Sequence, residues 1–285
     1  MPARTGTLTT HFPTLATHIP KPGMITKNTI KHIRSLALKK HRDATRTFVA
    51  EGPKAVGDLL PLLRCQLLCL TGAGRESFSE RDLLSHVPGD ALHLVSPQEM
   101  ERMSGLKTSR EALAVFCMPD AETDMDALAA LPATELCLAL DGVQDPGNLG
   151  TIIRIADWFG ISHIFASPDT ADAFAPKVVQ ATMGAIGRVS VHYTDLPALL
   201  SRLGEDVPVY GTFLDGSNMY AKELGENGLV VMGNEGKGIS PEVAAGINRR
   251  LFIPNFPAGR ATSESLNVAV ATAVVCAEFR RRMEM

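Results

Sequence analysis

A chain of 285 residues, 45% hydrophobic and 21% charged, is long enough for one large core or two ordinary ones and has the composition of a soluble globular protein. A formal net charge of −3 excludes a protein that coats nucleic acid by bulk positive charge. The longest apolar run, VAVATAVVCA at 268–277, is too short to span a bilayer.

Residues 1–24 lack the apolar centre of a signal peptide and carry few basic residues. They read as a disordered tail rather than a transit peptide, and a cytoplasmic location is expected. From Lys27 to Arg46 the chain carries Lys27, Lys31, Arg34, Lys39, Lys40, Arg42 and Arg46 against one acid, Asp43. With Ile30, Ile33 and Leu36–Leu38 this suggests a basic amphipathic helix, whose plainest reading is a solvated face. FVAEGPKAVGDLLPLL follows as strand, turn and helix. QLLCLTG, ALHLV and EALAVFCMP supply further strands, with helical material at 79–86 and 97–103. An α/β domain is thus expected over 25–118, and an acidic linker, partly helical, over 119–134.

From 135 to 285 strands and helices alternate. ELCLAL, SHIFAS, RVSVHY, PVYGTFL, GLVVMG and RLFIP read as strands. LGTIIRIADWFG, PKVVQATMGAI, DLPALLSRLG and PEVAAGI read as helices, with a last helix from about Glu264 to Arg282. That alternation implies a largely parallel sheet covered on both faces, whose ligands sit in loops at the carboxyl ends of strands. Five scattered cysteines, Cys65, Cys69, Cys117, Cys137 and Cys276, read as buried thiols, because no second Cys or His pair completes a zinc site.

Three loops concentrate unusual residues: DGVQDPGNLGTIIR at 141–154, VMGNEGKGIS at 231–240 and FIPNFPAGRATSESLN at 252–267. A phosphate-binding Walker loop fails at Val231 and Gly238, and Gly147 and Gly150 do not make a dinucleotide fingerprint. Asp141 and Asp145 lack calcium-loop spacing.

Together the loops resemble the SpoU (TrmH-like) family of RNA 2′-O-ribose methyltransferases of the SPOUT superfamily. Asn148, Gly150 and Arg154 match the family's N-x-G-x-x-x-R pattern. Gly233, Glu235, Gly236 and Gly238 match M-G-x-E-G-x-G, and Ile253, Pro254, Ser265, Leu266 and Asn267 match I-P…S-L-N. PKVVQATMGAIGRV at 176–189 is similar to a fourth segment, with Thr182 in place of Ser. Residues 25–118 resemble, more weakly, the small substrate-binding domain that precedes the catalytic domain in many relatives.

The resemblance implies an α/β fold with a C-terminal knotted SPOUT parallel-sheet domain, a homodimer packed through the last helix and the domain's first helix, and S-adenosylmethionine as methyl donor. It implies backbone contacts to the cofactor from Gly233, Ile253 and Leu266 and from a loop beginning at Thr212. Methyl transfer to oxygen is an in-line displacement that needs no metal but needs the hydroxyl positioned and its proton removed. Asn148, Arg154, Glu235, Ser265 and Asn267 are the candidate catalytic group, with Glu235 and Asn148 orienting Arg154 and the ribose. Guanidinium resists deprotonation, so phosphate clamping and alkoxide stabilisation by Arg154 stand beside the role of base. Lys27, Lys31, Arg34, Lys39, Lys40, Arg42 and Lys237 are candidate RNA contacts, with Arg260 on the long third loop. Each residue has a plainer reading: Asn148 as a helix N-cap, Arg154 paired with Asp157, Ser265 and Asn267 capping the last helix, His163 and His192 as structural groups, Trp158 as core or dimer packing. Ribosomal RNA is the expected substrate; the alternatives are the same reaction on tRNA, or a non-catalytic RNA-binding assembly factor.

Overall fold

The computed structural model describes residues 25–108, 110–120, 122–257, 260 and 265–283; the tail expected at 1–24 lies outside them. In chain order the N-terminal half contains α1 (Lys27–Ser35), α2 (Lys39–Thr45), β1 (Thr47–Glu51), α3 (Pro53–Leu59), β2 (Cys65–Leu70), α4 (Gly72–Glu80), β3 (Leu92–Leu94), α5 (Pro97–Met103) and β4 (Ala112–Cys117). Its four-stranded sheet has the order β1-β4-β2-β3. Alternate residues divide its two faces. Leu113 and Val115 face a cluster with Ile33, Leu36, Met100 and Met103 of the α1–α5 side, whereas Ala112, Ala114 and Phe116 join Val56 and Leu59 of α3 and Phe78 of α4 in a cluster that continues into the second half of the molecule.

Two expectations change here. The basic segment is two helices, because the chain turns at Leu36–Leu38 between α1 and α2, and Arg42 Nη1 donates to the Leu36 and Ala37 carbonyls at 2.7 and 2.9 Å. The helix expected at 79–86 starts earlier, at Gly72, where the Thr71 hydroxyl accepts from Gly74 N–H; only a short 3₁₀ turn covers Leu83–His86. A Cβ on Gly74 would lie 2.4 Å from the Glu111 carbonyl oxygen, so a sequence that looks like a turn is a close helix-to-loop contact.

Residues 119–134 hold α6 (Met125–Ala130), which packs through Leu128 and Ala129 on the second sheet. The C-terminal half then runs β5 (Leu136–Asp141), α7 (Pro146–Trp158), β6 (His163–Ala166), α8 (Pro176–Thr182), β7 (Ser190–Tyr193), α9 (Leu196–Leu200), β8 (Val209–Asn218), β9 (Gly228–Gly233), α10 (Pro241–Ala244), β10 (Arg249–Phe252) and α11 (Val268–Arg281). Among the described residues its six strands are all parallel, in the order β10-β8-β9-β5-β6-β7. Leu136, Leu138 and Leu140 of β5 join the cluster that includes residues of α7, α8 and α11, while Cys137 and Ala139 join the one that includes residues of α6, α9 and α10. This two-sided burial explains the near-continuous apolar strands. Burial also pushes the thiols of Cys65, Cys69, Cys137 and Cys276 up to about 12, so none is a nucleophile near neutrality.

Gly150 shows why the first motif demands glycine. A Cβ there would stand 2.5 Å from that of Ala181 and 2.8 Å from the Val178 carbonyl, so α7 and α8 touch at this point. Thr182 keeps its hydroxyl on the Val179 carbonyl at 2.8 Å, a bond that Ser makes equally well.

Candidate active site

β5 and β9 lie side by side at the sheet centre, with Asp141 opposite Gly233 at their carboxyl ends. From β5 the chain proceeds to β6 on one side; from β9 it proceeds to β10 at the opposite edge. Loops that diverge from neighbouring parallel strands leave a crevice between them. Asp145 opens α7 as its N-cap, accepting from Asn148 N–H at 2.8 Å, with Pro146 in the first turn. This Asp-Pro pair displaces the plainer reading of Asn148: it is not the cap but the third helical residue, and its side chain is released for other work.

That side chain joins three loops. Asn148 Nδ2 donates to Glu235 Oε1 at 2.7 Å, and Asn148 Oδ1 accepts from Asn267 Nδ2 at 2.9 Å. Asn267 also caps α11, its Oδ1 accepting from Ala269 and Val270 N–H at 3.0 and 3.3 Å. Capping and site-building are therefore one arrangement. Ser265 sits exposed two residues earlier.

The second loop is a closed turn. Asn234 and Gly238 exchange backbone hydrogen bonds at 2.9 Å, Asn234 Oδ1 accepts from Gly236 and Lys237 N–H, and Asn234 Nδ2 donates to the Gly142 carbonyl at 2.6 Å. A Cβ on Gly233 would lie 2.3 Å from the Gly238 carbonyl carbon, so only glycine ends β9 this way. Ser240 N–H donates to Asp141 Oδ2 at 2.6 Å, tying the loop to β5. Asp141, Asp145 and Asn234 were not singled out as site residues in the sequence; the Asp-Pro pair was the available signal for Asp145, and none marked the other two.

Arg154 is six residues beyond Asn148, roughly 9 Å along the axis. It is exposed, beside Thr151, Ile155, Trp158 and Phe159 in an open hollow of about 320 Å³. Among the described residues it bonds neither Asn148 nor Glu235, so the expected orientation of Arg154 by these groups is absent within one chain. The plainer pairing with Asp157 is absent too: Arg188 takes Asp157 with two bonds of 2.7 Å. Trp158, 84% exposed, is not core.

Three of the four expected cofactor positions lie on neighbouring strands, Thr212 in β8, Gly233 at the end of β9 and Ile253 just beyond β10, and Leu266 lies in the loop that enters α11. Thr212 lies inside β8, but pairing with β10 jumps from Gly211 to Ser217, so Thr212–Gly216 bulge out of the ladder. The bulge is held by Arg250, whose guanidinium lies 3.5 Å from the Phe213 ring centroid and 2.6 Å from Asp215. Nothing in the sequence marks Arg250 for this role. Leu214 on this bulge is 75% exposed, Leu266 is 50% exposed and Ile253 is half-buried.

A model of the SpoU rRNA methylase family matches residues 135–277, and one of an MRM3-like substrate-binding domain matches 27–114. The chain belongs to the SpoU rRNA methylase family. It is 30% identical to the 23S rRNA (guanosine(2553)-2′-O)-methyltransferase RlmP of Bacillus subtilis, over 88% of this chain and 95% of that one. A TrmH-family structure from Porphyromonas gingivalis is 44% identical, with a TM-score of 0.77 over 91% of this chain and 99% of its own. An AdoMet-bound rRNA methyltransferase from Sinorhizobium meliloti is 29% identical, with a TM-score of 0.78 over 92% and 98%.

In this SpoU protein the basic segment divides. Lys27, Lys31, Arg34, Lys39 and Lys40 are exposed, although Lys39 is engaged with Asp43 at 2.9 Å and Arg34 donates to the Arg102 carbonyl. Arg42 is a correction: it is 2% exposed and bonded to Asp172 across the two halves at 2.5 Å, so it cannot reach an RNA phosphate. Lys237 and Arg260 are exposed on the second and third loops. His163 and His192 bond each other at 3.0 Å between β6 and β7. Burial and the facing His163 hold His192 below the ordinary histidine range.

Proposed function

We propose that the protein methylates a ribose 2′-hydroxyl of ribosomal RNA as a cytoplasmic homodimer, with 25–118 gripping RNA and 135–285 catalysing transfer. The observation that carries this reading is the Asn267–Asn148–Glu235 chain, which draws three loops together at the carboxyl end of one parallel sheet. S-adenosylmethionine, when bound, supplies an electrophilic methyl. Thr212, Gly233, Ile253 and Leu266 would hold it, and Ser265 with Asn267 brace the wall beside it. Asn148 and Glu235 position the ribose, placing its oxygen in line. Arg154 clamps the flanking phosphate and lowers the energy of the developing alkoxide, while the 2′-hydroxyl proton passes to water as the oxygen takes up the methyl. Its guanidinium gains strength once the surrounding face is desolvated. A second subunit supplies that desolvation: Trp158 and Ile155 of α7 line the open hollow beside Arg154, and Val270 of α11 is itself exposed. Passage from edge strand β10 into α11, which packs on α7 and β9, supports the trefoil knot of the family.

Incubating the protein and labelled S-adenosylmethionine with separated ribosomal and transfer RNA from cells lacking the gene tests the substrate. Label in the ribosomal fraction supports the reading. Label in tRNA alone transfers the same chemistry to the alternative substrate, and RNA binding without label supports a non-catalytic assembly factor.

A further inference from the structure

We infer that Arg42 and Asp172 form a strut that fixes the RNA-gripping half in register with the methyl-transfer loops, making both of them positioning residues. The inference rests on the function proposed above.

Arg42 Nη1 holds the carbonyls that end α1, Leu36 and Ala37, while Nη2 holds Asp172 Oδ2. One buried guanidinium therefore connects the basic helix α1, with Lys27, Lys31 and Arg34, to the loop after β6. Its side chain is 3% exposed and that of Asp172 is 20% exposed, so solvent screens the pair weakly. Asp172 is itself rigidly held. Its Oδ1 accepts from Phe174 N–H at 2.9 Å, and the next residue, Ala173, donates to the Tyr193 hydroxyl at 2.8 Å. Ala171 N–H donates to the Val143 carbonyl at 2.9 Å, and Val143 precedes Asp145, the cap of α7. Ser167 Oγ accepts from Gly142 N–H and donates to Asp169. The path from α1 to the base of Asn148 thus runs through two held side chains, Arg42 and Asp172, and from there through backbone.

The surrounding contact has the shape of a fixed joint. Phe48 of β1 and Phe174 lie 4.9 Å apart between ring centroids. Gly184 adopts φ +94°, and a Cβ there would lie 2.7 Å from that of Asp58 on α3. Arg46 Nη2 donates to the Pro119 carbonyl at 2.9 Å, so the connecting segment is tied down where it leaves the first half. A pair that served stability alone would lower the melting temperature without regard to substrate length. A register strut acts only on an RNA long enough to touch α1 and the catalytic loops together, because it supplies effective concentration and alignment.

The test compares wild type with Asp172→Asn on a long structured RNA and on a fragment too short to reach α1. The Arg42→Met/Asp172→Leu pair is a second variant that buries no lone charge. Both variants are expected to lose about tenfold or more in kcat on the long RNA. Affinity for S-adenosylmethionine and activity on the fragment stay within about twofold, and small-angle scattering shows a larger radius of gyration. Equal losses on both RNAs, or no loss with only a lower melting temperature, overturn the strut. Absence of methyl transfer by wild type on either RNA would instead refute the proposed function. In that event an unchanged radius of gyration in both variants still overturns the strut.

Discussion

Asn267→Asp separates the two duties that one side chain performs in the site. Aspartate caps helices as well as asparagine, so the bonds to Ala269 and Val270 N–H survive. The amide that donates to Asn148 Oδ1 at 2.9 Å is replaced by a carboxylate oxygen facing an acceptor. Asn148 has one NH₂ group, and Glu235 already holds it at 2.7 Å. The variant makes two carboxylates compete for it, and satisfying the introduced one requires an amide flip that turns Asn148 Oδ1 toward Glu235. A charge-assisted hydrogen bond contributes about 1.5–3 kcal/mol. Because Glu235 and Asn267 are exposed and Asn148 is only half-buried, the lower end applies, which corresponds to a loss of roughly tenfold in transfer rate. Asn267→Ala loses the cap as well, adding about 1 kcal/mol of instability and lowering the melting temperature by about 2–4 °C. Thermal melts with single-turnover labelled-methyl transfer measure both quantities. Asn267→Asp is expected to melt with wild type and transfer slowly. Full transfer activity in Asn267→Asp, together with a melting temperature as low as that of Asn267→Ala, would refute the two-role assignment.

Gly233→Ala places a Cβ 2.3 Å from the Gly238 carbonyl carbon and forces the turn away from β9; calorimetry is expected to show S-adenosylmethionine affinity reduced by about tenfold or more with circular dichroism unchanged. Glu278, with its side chain 7% exposed, bonds Arg281 and Arg282, which hold its carboxyl at about 2 instead of the ordinary 4.5. A lowered folded value means stability that is complete above 4.5 and lost as pH falls through about 2. The advantage of wild type over Glu278→Gln in urea unfolding is thus expected to be about 1–3 kcal/mol near pH 7 and to vanish toward pH 2; a pH-independent difference would contradict it.

The parallel sheet was legible because fully buried strands such as β5 and β9 are apolar at every position between clear turn residues. Motif order made the family legible, yet the reasons for particular residues lay in packing. Nothing near Gly150 announces Ala181, which lies on another helix. Arg42 sits in a run of cations that are otherwise exposed, and its burial depends on an acid 130 residues later. Likewise Arg154 next to Asp157 looks like a local pair until Arg188 arrives from beyond α8 and takes the carboxylate. Local spacing shows which residues share a helix face, but not which distant residue competes for them. The bulge at Thr212–Gly216 was hidden for a similar reason: its partners Arg250 and Leu251 come from a strand formed after the whole β9–α10 excursion.

The chemical identity of the product tests the reaction itself. Ribosomal RNA lacking the modification is incubated with labelled S-adenosylmethionine and wild-type protein or Arg154→Ala, digested to nucleosides and separated. Label is expected in a single 2′-O-methylnucleoside, reduced by about a hundredfold or more in Arg154→Ala. Label on a base, or a 2′-O-methyl product formed equally well without Arg154, would contradict it.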